Sequence, residues 1–191
     1  MKNKVILITG ANGFIGKNLG PYLVHKGHDV EGYDYIDGRF PDPKEYDRVI
    51  HLGAISSTTE RDVEKIMEQN YEFSMRLLQL CDQKGTTFMY ASSASVYGDK
   101  FEENAKLQPQ NGYAWSKYLF DRWVFQQEQH IMVQGFRYFN AFGKWQHLRD
   151  TRSNVIHKWR QEARTQGKVS VWEGAENIKR DFTYAGDICQ L

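Results

Sequence analysis

Cysteine is scarce: the 191 residues hold two, Cys81 and Cys189, and no C-x-x-C pair. Two thiols cannot build a disulfide framework, and without paired cysteines no zinc site is expected. Long apolar runs are missing as well. The longest near the N-terminus is Val5-Ile6-Leu7-Ile8, far short of a membrane span or the core of a signal peptide, so no membrane partner is expected. Nor does one sign of charge dominate. The 25 Lys and Arg stand against 24 Asp and Glu, which excludes binding to nucleic acid by bulk charge alone. Repeats and low-complexity tracts are not seen. What is left, with 40% hydrophobic and 26% charged residues, is an ordinary globular chain of a reducing, cytoplasmic compartment. At this length folding buries about 70% of the unfolded surface, enough for one full core and part of a second unit.

Apolar runs of strand length alternate with amphipathic stretches of helix length, the pattern of βαβ units and an α/β fold with a parallel sheet. Strands are expected at Lys4–Thr9, Val30–Asp34, Asp47–Ala54, Thr86–Ser92 and Met132–Phe139, with a short one at Val169–Trp172. Helices are expected at Phe14–His25, ending at Gly27, within Glu60–Cys81, at Tyr113–Gln127 and at Thr151–Thr165. Pro21 should kink or shorten the first of them. From Asp34 to His51 there are only 17 residues, too few for a strand plus a crossover helix, so a thinned sheet is expected. Charge is uneven along the chain: Lys144–Lys168 carries a local net of +5 and Glu31–Asp47 one of −4. The first reads as a solvated helix face or as a steering field for an anionic small molecule.

The strongest local motif is Thr9-Gly10-Ala11-Asn12-Gly13-Phe14-Ile15-Gly16, directly after an apolar strand and directly before a helix. Gly10 permits a tight turn, Gly13 lets the backbone approach a pyrophosphate, and Gly16 allows close helix–strand packing. The helix start offers unpaired N–H donors to the phosphates. Asp34 closes the next strand 18 residues after Gly16, where a carboxylate accepts hydrogen bonds from an adenosine ribose and repels a 2′-phosphate. Arg39 can instead pair with that phosphate, so the motif admits NAD or NADP.

Tyr113 and Lys117 stand four residues apart on an expected helix, which puts them on one face. An ammonium beside a phenol lowers its pKa and fits it for acid–base work. The segment Tyr90-Ala91-Ser92-Ser93-Ala94-Ser95-Val96-Tyr97-Gly98 sits at the carboxyl end of an expected parallel strand, where open α/β sheets bind ligands. A serine there can hydrogen-bond a reacting hydroxyl or carbonyl. His51, in an apolar strand, reads as a satisfied core histidine rather than a metal ligand.

Taken in chain order, the glycine motif, Asp34, His51-Leu52-Gly53-Ala54, the serine segment, Tyr113/Lys117 and Phe136-Arg137-Tyr138-Phe139-Asn140 resemble the extended short-chain dehydrogenase/reductases, the NAD-dependent epimerase/dehydratase family that acts on nucleotide sugars. The resemblance implies a Rossmann-like, doubly wound parallel sheet over residues 1–140. A partial, truncated substrate-binding portion would follow over 141–191. It implies Ser93, Tyr113 and Lys117 as the catalytic set. Around the cofactor it implies Gly10, Asn12, Gly13, Phe14, Ile15, Gly16, Asp34, Tyr35 and Arg39, together with Leu52, Gly53, Ala54, Ser56, Asn70, Lys117 and Ala141. It also admits a homo-oligomer.

Ser56-Ser57-Thr58-Thr59-Glu60, Gly135–Asn140 and the stretch from Trp172 to Phe182 are similar to the branch of that family that epimerises ADP-glycero-manno-heptose at C6, a lipopolysaccharide precursor. By that similarity Ser57, Thr58, Asn140, His157, Trp172, Glu173, Gly174, Ala175 and Arg180 face a nucleotide-sugar substrate. A lysine expected as second acid/base falls here on Leu148 or Arg149, with Lys144 and His147 nearby. Arginine is a poor base because it stays protonated. Two other readings stand beside the epimerase: a reductase or epimerase on a different nucleotide sugar, and a shortened NAD(P)-binding module without turnover.

Overall fold

The structure, a computed structural model, describes residues 4–35, 40–99, 106–146 and 155–191. Five strands form one wholly parallel sheet: β1 (Val5–Thr9), β2 (Asp29–Tyr33), β3 (Arg48–His51), β4 (Thr87–Ser93) and β5 (Val133–Tyr138), in the order β2-β1-β3-β4-β5. Helix α1 (Phe14–His25) joins β1 to β2. Between β3 and β4 run α2 (Val63–Met67), a π turn (Glu68–Glu72) and α3 (Phe73–Lys84) without a break, and α4 (Gly112–Gln126) joins β4 to β5. This is a Rossmann-like doubly wound fold. A separate pair, β6 (Asn140–Phe142) and β7 (Phe182–Tyr184), lies beyond β5, with α5 (Val155–Gln166) between them in sequence and α6 (Ala185–Ile188) after.

The double winding is written in the alternation of side chains, which point to opposite faces of a strand in turn. Leu7 of β1 and Val49 of β3 enter a core with Leu77, Leu78 and Cys81 of α3 and Phe120 and Val124 of α4. Ile6, Ile8 and Ile50 go the other way, against Leu19 of α1 and Cys189. Both faces are covered, so these strands read as continuous apolar runs rather than alternating ones.

The short link from β2 to β3 does thin the sheet, which ends at β2 with no further strand outside it among the described residues. A 3₁₀ turn, Pro43–Glu45, lies in the crossover, capped by Asp42 and pinned where the Thr86 hydroxyl donates to the Pro43 carbonyl at 2.8 Å. Phe40 takes the packing role of a helix, its ring 4.8 Å from that of Phe73 with the Arg76 guanidinium 4.4 Å from its centre.

One expectation is corrected and another is narrowed. Pro21 does not shorten α1, which runs on to His25. The proline lies on the exposed side of the helix, where the carbonyl it leaves unpaired meets water rather than the core. Val169–Trp172 is not a strand: Val171 and Trp172 are exposed, and the strand that β6 pairs with is β7. Of the helix expected at Thr151–Thr165, Val155–Gln166 is seen and 151–154 lie outside the described residues.

Candidate active site

At the carboxyl ends of β1, β3, β4 and β5 opens a cleft of about 1030 Å³. It sits where the chain leaves β1 toward β2 on one side while β3 lies on the other, the switch point at which open parallel sheets take ligands. Gly10 turns there with φ +71°, its amide donating to the Tyr33 carbonyl at 2.7 Å. A Cβ on Gly10 would stand 2.6 Å from the Gly53 nitrogen and 2.7 Å from its Cα, so only glycine lets the β1 and β3 turns touch. The α1 helix starts at Phe14 behind Gly13, with no side chain capping its first turn and no acidic residue in it. Its N-terminal N–H groups and positive dipole end are thus presented to the cleft.

Asp34 accepts from the Asn12 amide at 3.1 Å and from the Asn12 side chain at 2.6 Å, so the carboxylate at the end of β2 also holds the glycine turn in shape. Tyr35 follows it, stacked edge-on against Phe73 at 5.5 Å and donating to Glu68 at 2.9 Å. The glycine-turn residues Gly10 and Asn12 to Gly16 line the cleft, as do Asp34, Tyr35, Leu52, Gly53, Ala54, Ser56 and Ala141. Asn70 does not. It is buried in the π turn, where it accepts from the Ile55 amide at 2.8 Å and donates to the Ile55 carbonyl at 2.9 Å and the Ser116 hydroxyl at 3.0 Å. Asn70 therefore shapes the loop after β3 from behind. Arg39 lies outside the described residues.

Beneath the turn a chain of hydrogen bonds ties β1 and β3 to the π turn. The Gly53 amide donates to Thr9 Oγ1 at 3.2 Å, and Thr9 Oγ1 meets His51 Nδ1 at 2.6 Å. His51 Nε2 meets Ser74 Oγ at 2.7 Å, and that hydroxyl donates to the Asn70 carbonyl. Because the Ser74 proton is spent on Asn70, His51 carries its own proton on Nε2 and accepts from Thr9 at Nδ1. Burial pushes this imidazole down to about 3, with the Lys117 charge adding to the effect. A group depressed on folding stabilises above its unfolded value and loses that contribution as pH falls. Between pH 6.5 and about 3 the wild type should lose stability about 1.4 kcal/mol per pH unit more steeply than His51→Gln. Urea unfolding at pH 7, 6 and 5 checks this, and parallel decline of the two proteins would mean that His51 is not held neutral.

Ser93, Tyr113 and Lys117 all line the cleft. Asn111 starts α4 by accepting from the Ala114 amide at 2.9 Å, which sets Tyr113 in the first turn and Lys117 one turn later. Ser93 stands beside the Tyr113 phenol in the cleft and accepts from the Ser95 hydroxyl at 2.9 Å and amide at 3.2 Å. Lys117 is buried and donates to the Ala91 carbonyl at 2.8 Å. Burial lowers its ammonium to about 8, against the opposing pull of Asp121. Tyr113 does not behave as its spacing to Lys117 predicts. Its pKa is raised, because burial outweighs the nearby Ser93 hydroxyl, which favours the phenolate, and the Lys117 ammonium is turned to a main-chain carbonyl instead.

Of the residues expected to face a substrate, Thr58, Asn140 and Arg180 line the cleft, and Asn140 donates to the Asp181 carbonyl at 2.9 Å. Ser57, His157 and the Trp172–Ala175 stretch are not brought to it, and the Trp172 side chain is 84% exposed. His147, Leu148 and Arg149 lie outside the described residues. Several lining residues had no site role assigned from the sequence, among them Thr9, Gln69, Phe139, Gln146 and Lys179. Lys179, next to Arg180, adds a second cation to the mouth, and its place in the Trp172–Phe182 stretch beside that arginine is the signal that could have pointed to it. Among the described residues no group of three His, Cys, Asp or Glu is placed to hold a metal, and no helix is long and apolar enough to cross a membrane.

Fold and cleft together define a dinucleotide-binding α/β domain with a serine, a tyrosine and a lysine at the mouth of its switch point. The chain belongs to the NAD dependent epimerase/dehydratase family, whose model matches residues 38–191. Among solved structures it is similar to the ADP-L-glycero-D-manno-heptose-6-epimerase of Helicobacter pylori, at 27% identity and a TM-score of 0.86 over 98% of this chain and 71% of that one. It shares its fold with the UDP-glucose 4-epimerase of Thermus thermophilus in complex with NAD, at 24% identity and a TM-score of 0.78 over 97% and 72%. The GDP-L-fucose synthetase of Naegleria fowleri bound to NADP, at 19% identity and a TM-score of 0.74 over 100% and 72%, has the same fold.

Proposed function

We propose that this chain is a nucleotide-sugar epimerase that works by transient oxidation with NAD or NADP, on ADP-glycero-manno-heptose at C6. The reading rests on one juxtaposition: Ser93, Tyr113 and Lys117 open into the same cleft as the glycine turn and the uncapped start of α1. A dinucleotide suits these residues, since Gly10 and Gly13 leave room for its pyrophosphate, the α1 N–H groups face its charge, and Asp34 offers acceptors to a ribose. Bound there, the nicotinamide supplies a hydride acceptor that returns the hydride, so the cofactor ends each cycle unchanged.

The protein supplies the proton chemistry. Ser93 hydrogen-bonds the reacting oxygen, and Tyr113 takes the hydroxyl proton at its phenolic oxygen and gives it back. Burial favours the protonated phenol, the form that returns a proton to a carbonyl oxygen, while the nearby Ser93 hydroxyl favours the phenolate that removes one. Lys117 keeps a cation beside the cofactor, and Arg180 offers a fork of donors to the substrate pyrophosphate. Similarity to the Helicobacter pylori epimerase over 98% of the chain supports the choice of sugar. The test is incubation with NAD⁺ or NADP⁺ and ADP-D-glycero-D-manno-heptose, with C6 configuration followed by NMR. The epimer should grow in; a bound cofactor without inversion would reduce the chain to a binding module.

A second reading, an epimerase or reductase on another nucleotide sugar, is favoured by the positions of His157 and Trp172–Ala175 away from the cleft. With UDP-glucose as probe, transient near-ultraviolet absorbance of reduced cofactor would mark it.

A further inference from the structure

Behind the cleft, α4 holds the last four residues of β4 one after another. Tyr113 stands beside Ser93 in the cleft, and Lys117 bonds the carbonyl of Ala91. Asp121, a further turn along the same face, accepts from the Ser92 hydroxyl at 2.9 Å and the Tyr90 hydroxyl at 3.0 Å. Asp121 is 2% exposed. A carboxylate taken so far from water persists only when its oxygens are satisfied, and here a third donor arrives from β5, the Arg137 Nε at 3.0 Å.

Arg137 is the register partner of Ser92 across the β4–β5 ladder. Its other arm donates to the Tyr97 hydroxyl at 3.0 Å, and its guanidinium lies 5.1 Å from the centre of the Tyr97 ring. Tyr97 ends the 3₁₀ turn Ala94–Tyr97 that follows Ser93. The pair therefore grips the chain immediately before Ser93 and again four residues after it, and Asp121 does this from one helical turn beyond Lys117.

We propose that Asp121, paired with Arg137, is a positioning residue: it clamps the Ser92–Tyr97 turn so that Ser93 meets Tyr113, and it sets a carboxylate against the buried Lys117. The pair itself lies behind the cleft and acts through its neighbours, and the proposal rests on the epimerase reading only for its effect on turnover. The groups facing Lys117 are Asp121 on its own helix, which favours the ammonium, and His51 on β3, which is neutral where Lys117 titrates, while burial opposes the charge. Removing the Asp121 charge should therefore move Lys117 one way, and removing its Arg137 counter-charge the other.

The experiment is NMR of the full chain carrying ¹³C-labelled lysine, with the Lys117 signal assigned by Lys117→Arg. In Asp121→Asn the Lys117 midpoint should fall by about one pH unit, and in Arg137→Gln it should rise. Shifts of opposite sign are not produced by general loosening of the core, which would move both variants alike. A midpoint unmoved in both, or moved in the same direction in both, overturns the clamp. Asp121→Glu, which keeps the charge, should restore the wild-type midpoint, and it serves where Asp121→Asn does not fold. With NAD⁺ and ADP-D-glycero-D-manno-heptose, Asp121→Asn should lower kcat about tenfold and leave KM within about twofold, because the groups it positions act in the transition state. A wild-type chain that does not epimerise this sugar refutes the functional reading and leaves the clamp to stand or fall on the titration.

Discussion

Replacing Tyr113 by phenylalanine should lower epimerisation by a factor of about 10²–10⁴, the range that a positioned acid–base group contributes, while NAD⁺ affinity stays within about twofold. The ring keeps its place between β4 and the cleft, so the packing that burial of this residue supplies is retained. Only the oxygen goes, and with it the neighbour of Ser93 in the cleft. Ser93→Ala should cost less, since the phenol keeps its acid–base function but loses the neighbour that favours its ionised form. Turnover by NMR and cofactor binding by calorimetry separate the two effects. A Tyr113→Phe protein with a tenth or more of wild-type activity would remove the phenol from the reaction. Loss of NAD⁺ binding in that variant would instead make the residue a cofactor contact.

How far the sequence reveals this molecule depends on how local each feature is. The turn from Gly10 to Gly16 is legible because its requirements are met within eight residues: an apolar strand before, a helix after, and glycines where the backbone has no room. The thin edge of the sheet follows from counting residues between Asp34 and His51. Asp121 is invisible by the same logic. Its role exists only because Tyr90, Ser92 and Arg137 arrive from two other strands, and its one local trace is its place four residues after Lys117.

The alternation of Val169, Ser170 and Val171 imitates a strand, yet strandness needs a partner edge, and β7 already occupies that of β6. The π turn at Glu68–Glu72 has no residue-type signature, although it is what brings Asn70 against the loop at Ile55. Tyr113 shows the limit of spacing arguments in electrostatics. Four residues on a helix place Lys117 beside it, but the ammonium spends its hydrogen bond on Ala91, and burial, not charge, sets the phenol.

A single methyl group added at the switch point, by Gly10→Ala, should be strongly disruptive. Two costs combine there. The backbone sits at φ +71°, where a side chain costs about 1–2 kcal/mol. The new Cβ would also stand 2.6–2.9 Å from backbone atoms of Leu52 and Gly53, and backbone cannot rotate away as a side chain can. Relief requires the β1 and β3 turns to separate, adding about 1–3 kcal/mol of overpacking and widening the switch point. NAD⁺ affinity should fall more than about tenfold, the equivalent of 1.4 kcal/mol lost from a mis-set phosphate cradle. Gly85→Ala supplies the control. Gly85 has φ +73° but nothing within 4 Å of its Cβ position, and it ends α3 far from the cleft. That variant should show the backbone cost alone and bind NAD⁺ as the wild type does. Equal stability losses in the two proteins, with unchanged NAD⁺ binding in Gly10→Ala, would mean that contact between the β1 and β3 turns contributes nothing to the site.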